Sequence, residues 1–189
     1  MTPGALSGGF ANPSIDAAHA FRAALNAMAR PGMIETVEGA APPAPLSVAA
    51  GVLILTLTDG TTPLHLTGAH DCAAVRDWIT FQTGAPFVGA EMAAFAIGTW
   101  HALLPVDRFA IGTPDYPDRS ATLIVEMPIL ATQGTRLVGP GIKDDSHLSL
   151  PDAAAFHANH ALYPLGFDTF LTAGATLAAL PRSTKVKAA

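Results

Sequence analysis

The chain of 189 residues contains one cysteine, Cys72. A disulfide needs two thiols, and an iron–sulfur cluster or thiolate zinc site needs several at fixed spacing, so this chain alone can supply none of these. Cys72 follows Asp71 at an expected helix start, where a small packed side chain is the simpler reading than a nucleophile. Charge is also scarce: charged residues make up 13 % of the chain, ten Lys and Arg stand against fifteen Asp and Glu, and the net charge is −5. A nucleic-acid binder offsets phosphate charge with a basic face, and this balance argues against one. Long apolar runs are missing too. The longest, Ala49 to Leu57, is interrupted by Thr56 and falls far short of the roughly 20 residues that cross a bilayer. No basic and apolar leader opens the sequence, so the expected compartment is the cytoplasm.

What is present is apolar. Half of the residues are hydrophobic and the mean hydropathy is +0.36, enough for one substantial core in a single domain over 1–189. A solitary soluble chain covers itself with more polar surface than this, which points to subunit contacts.

Residues 1–11, rich in Gly, Pro and Ala, read as a loose arm. Asn12-Pro13-Ser14 caps an expected helix whose apolar face is Ile15, Ala18, Phe21, Leu25 and Met28, ended by Pro31-Gly32. Arg22 borders that face, either as a solvated or paired arginine or as a contact for a partner or anion. Met33 to Glu38 alternates like a strand, and Leu46 to Thr58 reads as a buried helix capped by Ser47. Pro63 to Leu66 is a short strand, and a helix capped by Asp71 runs to about Gln82, ended by Gly84. Strands follow at Ala93 to Ile97, Ala121 to Glu126 and Arg136 to Val138, with a turn-rich loop from Gly112 to Asp118 and a helix from about Pro151 to Ala161.

The C-terminal stretch carries the most chemistry. Phe167 to Ala173 and Thr176 to Leu180, separated at Gly174, form an expected hairpin. Antiparallel pairing would bring Asp168, at the start of the first strand, toward Arg182, Ser183 and Thr184 after the second. Helices alternating with strands and closing on a hairpin predict a three-layer α/β/α domain with a mixed sheet.

Two constellations compete for a functional role. Gly139-Pro140-Gly141 with Arg182, Ser183 and Thr184 could grip an anion through backbone amides and a guanidinium. Lys143-Asp144-Asp145 is electrostatically poor for that, so a tight turn at Gly139 to Gly141 competes with the cradle. Arg182 could equally pair with Asp168 or serve an interface. His157 and His160 share a helix face and could hold a metal with His147 or Asp152, but nothing fixes a third ligand, and a solvated face is the simpler reading.

The order and spacing of several short motifs resemble one family. They are Phe21-Arg22 with Leu25, Ala27-Met28 and Pro31-Gly32; Leu55 to Asp59 with Thr62-Pro63; Gly112-Thr113, Pro117 and Ala121 to Ile124; and Leu137 with Gly139 to Ile142. Asn159, Pro164 to Asp168, and Leu180 to Thr184 with Val186 complete the pattern. The chain resembles the PhnH family, whose members belong to the bacterial carbon–phosphorus lyase core complex. The resemblance implies a cytoplasmic subunit that assembles with sister subunits G, I and J, and the apolar surface makes a homodimer the expectation for the isolated chain. In that system PhnH, together with the G, I and L proteins, displaces the purine of a nucleoside triphosphate with methylphosphonate, giving ribose 1-methylphosphonate 5-triphosphate. A radical subunit, J, later breaks the carbon–phosphorus bond. The family fold is similar to the large domain of pyridoxal-phosphate (PLP) transferases without the cofactor. The lysines agree, since Lys143 sits beside two acids and Lys185 and Lys187 lie in a polar tail, none of them an expected Schiff-base lysine. The family often has an acid where this chain has Lys187. The expectation is a subunit without cofactor, metal or independent active site, with Arg22, Gly139, Gly141, Asp168, Arg182 and Thr184 as candidate anion or interface residues; the alternative is a subunit that binds nucleotide or phosphonate at the Gly139 to Gly141 and Arg182 region.

Overall fold

The computed structural model describes residues 6–187. The first five residues of the expected N-terminal arm lie outside the described residues. From residue 6 the segment is held down: Trp78 Nε1 donates to the Ser7 carbonyl at 2.9 Å, and the Ala41 amide donates to the Gly8 carbonyl at 2.9 Å.

Helix α1 spans Pro13–Ala29. Asn12 stands at its N-cap without a side-chain cap; the Asp16 carboxylate instead accepts the Asn12 amide at 2.8 Å. The face it buries is not the expected one. Ala20, Ala24 and Ala27 point into the core, while Ile15, Phe21 and Leu25 are 61 %, 53 % and 55 % exposed. Of the expected stripe, Met28 alone packs against the core. Small side chains let α1 approach the sheet and its neighbouring helix closely, and that close packing turns the larger residues outward.

Strand β1 (Glu35–Thr36) is shorter than the alternation of Met33 to Glu38 suggests. Helix α2 (Val48–Leu57) begins where Ser47 predicts, its hydroxyl accepting the Ala50 amide at 3.1 Å. Six of its residues, Ala49 to Ile54, are buried, so the apolar run is a core helix that needs no amphipathic face. After β2 (Leu64–Leu66) comes α3 (Ala73–Thr83), closed by Gly84 at φ 71°. The cap of α3 departs from expectation: Cys72 occupies the N-cap without a side-chain bond, and Asp71 pairs with Arg76 instead.

Strand β3 (Phe95–Thr99), the short helix α4 (Trp100–Leu103) and β4 (Thr122–Glu126) follow. Then come β5 (Thr135–Val138), β6 (Ser146–Leu148), α5 (Ala153–Ala161), β7 (Asp168–Ala173), β8 (Thr176–Leu180) and β9 (Lys185–Lys187). The fold is α/β with a mixed main sheet in the order β1-β8-β7-β4-β3-β2. In it β2, β3, β4 and β7 run parallel, and β8 runs antiparallel to both of its neighbours, β7 and β1. Period-2 alternation feeds two cores. Ile97, Ile124, Phe170 and Leu177 join one with α1, α2 and α3, and Ala96, Leu123, Leu171 and Ala178 join the other with Trp100 and Phe156.

A second sheet, β6-β5-β9, was not expected beyond its middle strand. Its outer strands are short, and the Lys-Val-Lys of β9 carries one inward residue, Val186, too little apolar pattern to read as a strand.

Candidate functional site

The β7–β8 hairpin forms as its sequence suggests, turning at Gly174 with Ala173 opposite Thr176 and Thr169 opposite Leu180. That register places Asp168 beside the chain leaving β8. Asp168 Oδ1 accepts the Arg182 amide at 2.9 Å and Arg182 Nε at 3.1 Å, and Oδ2 accepts Nη2 at 2.6 Å. Nη1 donates to the Pro117 carbonyl at 2.7 Å, and Nη2 also reaches the Ser120 hydroxyl. The guanidinium thus joins the start of β7, the tail and the loop before β4, with the pair only 12 % and 26 % exposed. Bidentate geometry of this kind fixes direction as well as charge.

Residues around this clamp serve close packing. Thr184 is buried, its amide donating to the Pro181 carbonyl at 2.9 Å, and its hydroxyl finds no partner. Gly139, at φ 141°, lies against the tail, where a Cβ would sit 3.3 Å from the Ser183 carbonyl oxygen. A Cβ on Gly141 would run into the Ala29 carbonyl at the end of α1. The Gly139 to Gly141 turn is therefore wedged between tail and helix. Asn159 completes the frame: its amide exchanges two hydrogen bonds with the Phe167 backbone, at 2.9 and 3.0 Å, fixing α5 to the hairpin entry.

His157 and His160 also face the tail. Their Nδ1 atoms lie 3.1 and 3.0 Å from the Val186 and Arg182 carbonyls. A carbonyl can only accept, so each ring carries its proton on Nδ1. His147 sits apart on β6, opposite Arg136, and Asp152 caps α5 by accepting the Ala155 amide at 3.0 Å. Among the described residues no three His, Cys, Asp or Glu side chains are grouped to hold a metal ion. Arg22 is exposed on α1 and shares a shallow depression with Asn26 and Glu35.

Sequence reasoning missed a polar cluster at the opposite end of the main sheet. Glu126 ends β4; its Oε1 accepts the Ser47 amide at 2.7 Å and its Oε2 accepts the Thr172 hydroxyl at 3.0 Å. It thereby ties the start of α2 to β4 and β7. Buried His70 places Nε2 3.9 Å from Glu126 Oε1, and neither ring nitrogen has a hydrogen-bond partner. Burial lowers the His70 pKa, and the Glu126 charge opposes that shift only in part. Glu126 was visible as the lone acid closing a strand of Thr, Leu, Ile and Val. His70, among Gly, Ala and Asp, gave no signal.

Compared with known proteins, residues 8–187 match the family model described as bacterial phosphonate metabolism protein (PhnH). A relative from Rhizobium meliloti (strain 1021), alpha-D-ribose 1-methylphosphonate 5-triphosphate synthase subunit PhnH, is 41 % identical over 191 residues, covering 96 % of this chain and 95 % of the relative. The Asn159 lock, the Gly139 to Gly141 wedge and the Asp168–Arg182 clamp give physical roles to the motifs on which the resemblance rested. The chain belongs to the PhnH family of bacterial phosphonate metabolism proteins.

Proposed function

We propose that this chain is a subunit of an assembly that forms ribose 1-methylphosphonate 5-triphosphate during phosphonate use, contributing binding surface rather than a reaction centre of its own. Its partners in this reading are sister subunits G, I and J, in the cytoplasm, and the free protein pairs with itself. The body is a three-layer α/β/α domain similar to the large domain of PLP transferases, working without that cofactor. All three lysines are exposed, whereas a Schiff-base lysine is tuned by desolvation.

The observation that carries the reading is the outward stripe of α1. Ile15, Ala18, Phe21 and Leu25 recur at helical spacing and are all exposed. Fully covering a side chain of the Leu, Ile or Phe kind yields roughly 1.5–3 kcal/mol, so a contiguous stripe of three is a strong drive to associate. Arg22 lies on the same face and supplies a polar rim.

Co-expression of the tagged chain with subunits G, I and J, followed by native mass spectrometry, tests this. The wild type should elute in a multi-subunit particle. A Phe21→Ser, Leu25→Ser variant should elute without partners while melting at the wild-type temperature. Elution of the wild type alone beside soluble partners would overturn the reading.

A further inference from the structure

Five of the depressions on the described surface differ in charge. Four include a carboxylate: Asp16 and Glu38 in one, and Glu35, Asp145 and Asp107 in the others. The fifth, about 520 Å³, is lined by Pro140, His160, Ala161, Tyr163, Ser183 and Lys185 and contains none. In a chain with five more acids than bases, a cavity that admits a cation and excludes every acid is a selective feature. Two further properties belong to it. The Tyr163 ring is exposed and stacks on His160, with planes 26° apart and centroids 6.4 Å apart, offering an aromatic face. Lys185 continues into a cationic row on the outer face of the small sheet. The register sets Arg136 opposite both Lys187 and His147, and Lys185 opposite Val138, so these side chains share the face turned away from buried Leu137, Leu148 and Val186.

The charges have different availability. Arg136 is held by Asp145 at 2.8 Å, whereas Lys185 and Lys187 form no ion pair with a described residue. Two residues apart on one strand, their stems stand about 6.6 Å from each other, a spacing that adjacent phosphates of one chain can bridge. His160, with Nδ1–H committed to the tail, keeps its ring fixed against the depression.

We propose that this depression is a nucleoside-triphosphate site, with the base against Tyr163 and the phosphates on Lys185 and Lys187. The choice of a triphosphate rests on the assembly reading, because the relative's product carries a 5-triphosphate. Arg182 is no part of it, its guanidinium being directed at Asp168, Pro117 and Ser120. The phosphate-binding role considered for Arg182 from the sequence passes in this proposal to Lys185, three residues on.

Calorimetric titration of the full chain with ATP, with inorganic tripolyphosphate and with adenosine tests it. ATP should bind one-to-one, more weakly at high salt. Lys185→Glu should weaken ATP at least tenfold, and Tyr163→Ala should weaken ATP severalfold while leaving tripolyphosphate unchanged. Lys143→Glu, in the depression that holds Asp145, should bind ATP like the wild type. All three variants are at exposed positions, and unchanged melting temperatures confirm that each is folded. Absence of saturable ATP binding, or wild-type affinity in Lys185→Glu, overturns the proposal. Equal binding of tripolyphosphate and ATP with no effect of Tyr163→Ala also overturns it, leaving a phosphate patch. The co-purification assay separates the two readings. Lys185→Glu should still enter the particle, and loss of assembly with intact ATP binding would make the row a protein-docking face and defeat the nucleotide site.

Discussion

The two ends of the main sheet each hold a partly buried acid beside a basic side chain, and they are built on opposite terms. At one end Asp168 and Arg182 meet bidentately, and the remaining guanidinium contacts go to a carbonyl and a hydroxyl. At the other, Glu126 is well bonded to Ser47 and Thr172, but His70 stands 3.9 Å away with both ring nitrogens unpartnered. The first is a finished structural joint. The second keeps a titratable group in an environment that resists its charge. Partial burial is common to both; what differs is whether the polar atoms have anywhere to go.

Removing Arg182 is the sharpest way to test the finished joint. Breaking a buried pair costs about 3–5 kcal/mol because a charge is left behind; with Asp168 about a quarter exposed, Arg182→Ala should cost about 2–3 kcal/mol. Urea unfolding measures it. A cost below about 1 kcal/mol would put the clamp among surface pairs and erase the contrast. Glu126→Ala comes next. It orphans the Ser47 amide and leaves the Thr172 hydroxyl with only its longer bond to the Val125 carbonyl, at 3.3 Å, and should cost about 2 kcal/mol, with faster amide exchange confined to the first turn of α2. A uniform change in exchange would mean that Glu126 does not anchor that helix.

The clamp end was legible in the sequence and the histidine end was not, for a physical reason. A hairpin is local: Gly174 and two apolar runs fix its register, and the register alone brings Asp168 to Arg182. His70, just after β2, meets Glu126, at the end of β4, across the intervening β3, and no spacing along the chain encodes that meeting. The same limit governs α1. Two stripes at helical spacing compete there, one of alanines and one of large apolar residues, and hydrophobicity favours the wrong one. Close packing decided for Ala20, Ala24 and Ala27. The buried run of α2 and its Ser47 cap were readable because both signals lie within the element.

Acidity separates the two ends in a single experiment. The His70 pKa is lowered in the folded protein, so between the unfolded value, about 6.5, and the lower folded value the unfolded chain binds more protons. Stability attributable to His70 is therefore complete above the unfolded value and declines as pH falls through the window. The slope should reach at most about 1.4 kcal/mol per pH unit for one proton. In His70→Leu the contribution to the slope should vanish, with little or no loss of stability at pH 7.5, because the orphaned nitrogens are gone. A contribution of the opposite sign, with stability gained as pH falls and lost in His70→Leu, would show that His70 pairs with Glu126 in solution and that the two ends are alike after all.

The smallest expected effect tests what makes the clamp strong. Asp71 and Arg76 also form a close pair, and Arg76 holds the Asp71 carboxyl below its usual range through their hydrogen bond. Contact alone would rank this pair beside Asp168–Arg182. Yet its side chains are 39 % and 43 % exposed, so water competes for both charges and side-chain entropy opposes holding them together. Asp71→Asn should therefore cost about 0.5 kcal/mol or less, and that little should fade in 1 M salt. The Arg182→Ala loss, being shielded from solvent, should persist at the same salt concentration. If Asp71→Asn instead matched Arg182→Ala, bonding geometry rather than burial would set the strength of these pairs. The contrast between the sheet ends would then reduce to the distance between His70 and Glu126.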